Sequence, residues 1–213
     1  MGSEPRTVVT ISRELCSGGS YVGQRVARRL GYAYIDREIL RQTAGALGME
    51  ESEVESADER SPGFWERTLA LFALGSPEEL YVPPPIRPIP DTEIQRVEAR
   101  VMRRLAASHS CVVVGRGGFW LLRDLTPIVS VFLHAPRELR RRRAMDLFGL
   151  SAEEADDRID RVDPGRERFN HKLAGRSWYD ARNYHLAVDT GRAGFDETEE
   201  MIATLVRRAQ ESS

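Results

Sequence analysis

The chain has 213 residues, of which 41% are hydrophobic and 30% charged, a composition that suits one folded domain and is too apolar for a disordered chain. Its formal net charge of -2 offers no long-range attraction to nucleic acid or to an anionic membrane surface. No apolar run approaches the ~20 residues that span a bilayer, and Cys16 and Cys111, with no CxxC or Cys/His spacing, indicate neither a disulfide framework nor a zinc site. A reducing cytoplasm is the expected home, and apart from Lys172 every basic residue is arginine.

The β-branched run Thr7 to Ile11 reads as a buried strand, and Ser20 to Leu30 follows with apolar residues at helical spacing. The turn between them holds Gly18 and Gly19. A second strand is expected over Tyr32 to Ile35, ending at Asp36, which can cap a helix through Ile39, Leu40 and Ala44. From about Glu50 to Pro90 the pattern loosens into an acidic stretch, a short helical piece around Phe64 to Leu74 and the proline-rich segment Tyr81 to Pro90, which excludes regular helix and central strand.

Asp91 to Ala107 is an amphipathic helix, Cys111 to Val114 a strand, Pro127 to Leu133 another strand and Pro136 to Leu147 an arginine-rich helix. A further helix starts at Ser151 and is expected to end near Pro164. Tyr184 to Val188 is the last strand, followed by a turn over Thr190 to Gly194 and a helix to about Arg208. Strands alternating with helices predict an α/β protein with a parallel sheet covered on both faces.

In such a sheet ligands collect beyond the carboxyl ends of the strands. After the first strand stand Arg13, Glu14, Leu15, Cys16, Ser17, Gly18, Gly19 and Ser20; after the second, Asp36 and Arg37; after the third, Gly115, Arg116, Gly117 and Gly118. Glycines in a strand-to-helix turn let backbone N–H groups and the helix N-terminus face an anion. On its own the turn reads equally as a phosphate cradle and as an ordinary βα connection, because the lysine of the full GxxxxGK[ST] pattern is missing. Arg116 reads either as a solvated surface arginine or as a side chain reaching over the sheet edge. Arg158, Arg161, Arg166, Arg168, Lys172 and Arg176 crowd a segment interrupted by Pro164 and Gly165. They suit a flap closing on phosphates, or, up to Arg161, a helix face laced with Glu153, Glu154, Asp156, Asp157 and Asp160.

Taken together, TISRELCSGGSYVGQRVARRLGYAYIDREIL at the start, the proline-rich segment before the long helix, CVVVGRG in the middle and GRSWYDARNYHLAVDTGR near the end resemble the cytidylate kinase-like family, a branch of the P-loop nucleoside monophosphate kinases. The resemblance runs over nearly the whole chain. It implies a three-layer αβα fold on five parallel strands, a monophosphate-binding insert at about 45–108 and an arginine-bearing lid at about 151–182. By resemblance Ser17, Gly18, Gly19 and Ser20 match the donor loop for ATP phosphates, and Asp36, Arg37, Gly115 and Arg116 match the monophosphate site. Asp163 and Arg166 resemble a lid pair, with Arg158, Arg161 and Arg168 as further lid arginines. Three departures stand out: Gly19 takes the place of the P-loop lysine, Tyr21 that of the magnesium-binding hydroxyl, and Gly117 that of an aspartate after the GR pair. Cys16 in addition occupies a position that is usually glycine in the branch.

The implied reaction is transfer of the γ-phosphate of ATP to CMP or dCMP with Mg2+, for which Ser20 is the candidate protein ligand. Phosphoryl transfer asks for alignment and charge stabilisation, and a cation ~4 Å from a phosphate oxygen at an effective dielectric near 20 contributes about 4 kcal/mol. With the lysine gone, Arg13 and the lid arginines are the expected replacements. The alternatives are a nucleotide-binding protein without turnover and a kinase for another small acceptor.

Overall fold

A computed structural model describes residues 6–36, 91–125 and 127–212. Arg37, the helix expected after Asp36, the piece around Phe64 to Leu74 and the proline-rich segment lie outside the described residues.

Five strands form one sheet: β1 (Val8–Arg13), β2 (Ala33–Ile35), β3 (Cys111–Val114), β4 (Ile128–His134) and β5 (Leu186–Asp189), in the order β2-β3-β1-β4-β5. Every pairing is parallel, as the βα alternation requires, since parallel neighbours need crossover connections. The first strand runs two residues beyond the expected Ile11 because it stays in register with β4, Ser12 against Phe132 and Arg13 against Leu133. Arg13 is thereby the last residue of the central strand rather than part of the loop.

Side chains alternate across the sheet and build two cores. On one face Val9, Ile11, Val112, Val114, Val131 and Leu133 pack against Val22 and Val26 of α1 (Gly19–Leu30) and Ile202 and Val206 of α6 (Thr190–Glu211). On the other, Val8, Ile35, Cys111 and Val113 pack against Val97, Val101, Met102 and Leu105 of α2 (Asp91–Ser108). Helices on both faces make the three layers. Among the described residues no helix is long and apolar enough to cross a membrane.

The remaining helices surround the carboxyl edge of the sheet. A four-residue helix, α3 (Gly118–Leu121), follows β3 and was not expected from periodicity. After β4 come α4 (Arg137–Phe148) and α5 (Ala152–Ala174). The expectation that α5 ends near Pro164 is overturned, for the helix passes straight through it. Proline in a helix interior costs roughly 3 kcal/mol. Here Ala155, Ile159, Asp163, Asn170 and Ala174 are all buried on one side of the helix, and that packing outweighs the local penalty. The acids Asp156 and Asp160 pair across to Arg137 and Arg141 of α4, and Glu154 closes a capping box with Ser151. The expected lacing of the α5 face is thus replaced by bridges between helices. The turn before the last helix appears as a break at Gly194, where φ is 77°.

Candidate phosphate site

The loop from Glu14 to Gly18 is held by its carbonyls. The Ser17 hydroxyl, fully buried, lies 3.0 Å from both the Glu14 and the Leu133 carbonyl oxygens. Arg140 donates to the Leu15 carbonyl, Arg143 to that of Cys16 at 3.3 Å, and the Thr190 hydroxyl to that of Ser17 at 2.7 Å. Carbonyls turned inward and fixed leave the N–H groups of the first turn of α1 facing out, where a helix has no internal partners for them. The helix carries no side-chain cap and no acid in its first turn. Such a nest suits an anion. Cys16 holds φ at 58°, a conformation glycine adopts at no cost, which accounts physically for a loop position where glycine would be at home.

Ser17 therefore serves the loop through its side chain rather than aiming it outward, while Ser20 is exposed at the start of α1. Asp163 is buried and accepts the Leu15 N–H at 2.8 Å while pairing with Arg140. Arg140 also reaches Glu14 at 3.3 Å and the Ala135 carbonyl at 3.0 Å. This closed network fastens α4 and α5 to the loop.

On the other side of Arg13 opens a cleft of about 340 Å³, lined by Arg13, Gly115, Arg116, Arg161, Arg166 and Asn170 among others. Arg13 makes no ion pair among the described residues. A Cβ placed on Gly19 would fall 2.7 Å from the Arg13 Cβ and 3.2 Å from its Cδ, and one placed on Gly115 would fall 2.8 Å from its Cζ. The side chain thus runs from the end of β1 over Gly19 to Gly115. Burial first, and the neighbouring Arg166 guanidinium second, push the Arg13 pKa down to about 9. Burial also lowers that of Arg166, whose guanidinium donates to the Arg13 carbonyl at 2.9 Å. Arg116, also in a left-handed conformation, pairs with buried Glu98 of α2 and lies over the Phe169 ring at 5.3 Å. It is therefore neither solvated nor loose. Three guanidiniums converging in a desolvated cleft strongly favour an anion.

Not every expected residue joins them. Arg161 lines the cleft from an exposed position, whereas Arg158 stacks on Phe148 at 4.0 Å and Arg168 is exposed outside the lining. Asp36 lies near the Arg13 guanidinium and, with Ser20, beside the Tyr34 hydroxyl, so hydroxyl and carboxylate oxygens adjoin the loop. Hard oxygen donors of this kind suit Mg2+, which keeps several waters and takes one or two protein ligands plus phosphate oxygens. No group of three or more His, Cys, Asp or Glu able to hold a metal is present among the described residues. A side chain on Gly117 would run into Leu173, with Phe169 alongside, so the surroundings of Gly117, next to Arg116, are apolar.

Arg140, Arg143, Thr190, Glu98 and Phe195, which packs onto Gly18, escaped sequence reasoning. Arg140 and Arg143 sit within four consecutive arginines and carry no local mark. A weak signal for Glu98 was a lone acid on the apolar side of α2, next to Val97 and Val101.

The family described as cytidylate kinase-like matches residues 8–192. No curated protein matches in sequence. Among solved structures, an uncharacterized protein from Eubacterium ventriosum ATCC 27560 superposes with a TM-score of 0.70 at 19% identity, covering 95% of this chain and 99% of that one. A shikimate kinase from Bacteroides thetaiotaomicron superposes at 0.51 with 14% identity, over 94% and 98% of the two chains. A gluconokinase from Sinorhizobium meliloti 1021 gives 0.51 at 18% identity, over 100% and 99%. At these identities the likeness is one of fold, that of a P-loop kinase.

Proposed function

The chain belongs to the cytidylate kinase-like family, and from that premise we propose that it transfers the γ-phosphate of ATP to a nucleoside monophosphate, CMP or dCMP first. The observation that carries the reading is the cleft in which Arg13, Arg116 and Arg166 meet beside a loop with outward N–H groups. Donor phosphates lie along that loop, on the N–H groups of Gly18, Gly19 and Ser20, and the acceptor phosphate lies in the cleft between Arg116 and the α5 arginines. An oxygen of the acceptor phosphate attacks the γ-phosphorus. The bond to the β,γ-bridging oxygen breaks, its electron pair leaves on ADP, and the products are ADP and a nucleoside diphosphate. A phosphate dianion needs no general base, so the work of the protein is alignment and charge stabilisation. Ser20 or Asp36 would hold Mg2+ together with phosphate oxygens, and the ion would supply further charge neutralisation to the transferring group. Residues 151–182 serve as the lid and the segment of about 45–108 as the monophosphate-binding insert.

An ADP-release assay with ATP, Mg2+ and each common nucleoside monophosphate tests this. Turnover with CMP or dCMP ranking first is the expected result. ATP binding without turnover on any of them contradicts it and favours a nucleotide-binding role. The apolar side chains of Phe169 and Leu173 at Gly117 give a specific reason to include other acceptors, because among the described residues these apolar groups, and no carboxylate to read a cytosine amino group, adjoin that position.

A further inference from the structure

Resting on that reading, we infer that Arg13 stands in for the P-loop lysine, delivering its guanidinium to the transferring phosphate from strand β1 through a channel floored by Gly19 and Gly115. A P-loop lysine enters from the start of the helix, at the position that is Gly19 here. That space is occupied, since a Cβ on Gly19 would fall within 3.2 Å of the Arg13 Cβ and Cδ. The stem of Arg13 and a side chain at position 19 are mutually exclusive in this geometry. The far end of the channel is equally tight, with the Arg13 Cζ 2.8 Å from a Cβ on Gly115. Gly115 therefore leaves room for the guanidinium against its backbone at the cleft, and a left-handed φ of 79° independently favours glycine there.

The charge environment agrees with the geometry. Arg116 is matched by Glu98 and Arg140 by Asp163 and Glu14, but Arg13 has no carboxylate at ion-pair distance among the described residues. A guanidinium also grips phosphate through two parallel donors. Arginine can thus replace lysine here without loss of charge at the γ-phosphate, and the absence of lysine at the loop is a relocation of the cation.

Six variants of the full chain test this, with turnover on ATP and CMP and calorimetric binding of ATP in EDTA as separate readouts. Arg13→Gln is expected to lower turnover by about a hundredfold to a thousandfold and ATP affinity at least tenfold, with Arg13→Lys in between. Gly19→Ala is expected to lose turnover in the wild-type background and to cost nothing further on top of Arg13→Gly, which removes the atoms it would meet, the non-additivity of a shared site. Arg13→Gly combined with Gly19→Lys removes the Cβ that would stand 2.7 Å from one at position 19 and puts the cation back at the helix start, and recovery of at least tenfold over Arg13→Gly alone is expected. Far-UV circular dichroism and Tm separate these effects from misfolding, and Arg13→Lys keeps the test open should Arg13→Gln fail to fold. The inference is overturned if Arg13→Gln and Arg13→Lys both bind ATP and turn over within threefold of wild type, or if the combined variant recovers nothing. Should wild type bind ATP but phosphorylate no monophosphate, the proposed function fails on its own and the binding series still decides the role of Arg13.

Discussion

Two arginines at the edge of one sheet, both drawn out of water, have opposite surroundings. Arg140 is buried among Glu14, Asp163 and two backbone carbonyls, a charge that the protein has already balanced. Arg13, at the end of β1, has the Arg166 and Arg116 guanidiniums as neighbours and a pKa pushed down to about 9. The first is part of the scaffold that shapes the loop; the second, on the proposed reading, is the one that meets an anion. On that reading charge balance, more than burial, distinguishes an arginine that holds the fold from one that serves a ligand.

The comparison breaks most visibly in stability. Arg140→Ala leaves Glu14 without its cation and Asp163 with only the more distant Arg166 guanidinium at 3.8 Å, and removing one partner of a buried pair costs roughly 3–5 kcal/mol. Arg13→Gln removes an unbalanced charge and is expected to leave stability unchanged or higher. Urea denaturation of both variants checks this, and equal losses would erase the distinction.

Ligand effects come next. Tripolyphosphate at a hundredfold over its Kd should stabilise the wild-type chain by about 2.7 kcal/mol. The same concentration should act far less on Arg13→Gln, as read by thermal unfolding.

Smaller, and sharper, is the effect of pH. Below pH 9 Arg13 is charged in the free protein; above it the charge is progressively lost, because its folded value is lowered, first by burial. A bound anion favours the charged form, so binding takes up a proton above that pH. Tripolyphosphate affinity is then expected to hold steady from about pH 7.5 to 8.5 and to fall by up to about tenfold per unit above 9. A flat profile to about pH 10 would contradict the lowered value. The smallest effect is expected at Arg182, an 86% exposed side chain paired with Asp180. Arg182→Gln should change stability by less than about 0.5 kcal/mol and leave turnover at the wild-type level.

The sheet was legible because its central strands are β-branched runs, TVVTI over Thr7 to Ile11 and CVVV over Cys111 to Val114, buried on both faces. The loop was legible as a turn. What local sequence could not supply was the pairing of charges brought together by the fold: Asp163 with Leu15 and Arg140, or Glu98 with Arg116, come from elements far apart in the chain. Pro164 misled for the same reason, since the burial of Asp163 and Asn170 that carries α5 through it is invisible to a local rule. The density of arginines in α5 does not by itself separate Arg161 and Arg166, which line the cleft, from Arg158 and Arg168, which do not.

The central claim, phosphoryl transfer at the cationic cleft, is tested most directly by 31P NMR of the wild-type chain with ATP, Mg2+ and CMP. The account predicts loss of the γ-phosphate resonance of ATP and the growth of two nucleoside diphosphate signals in equal amounts. Persistence of the ATP spectrum with CMP and with every other nucleoside monophosphate, in a sample shown by calorimetry to bind ATP, would contradict it.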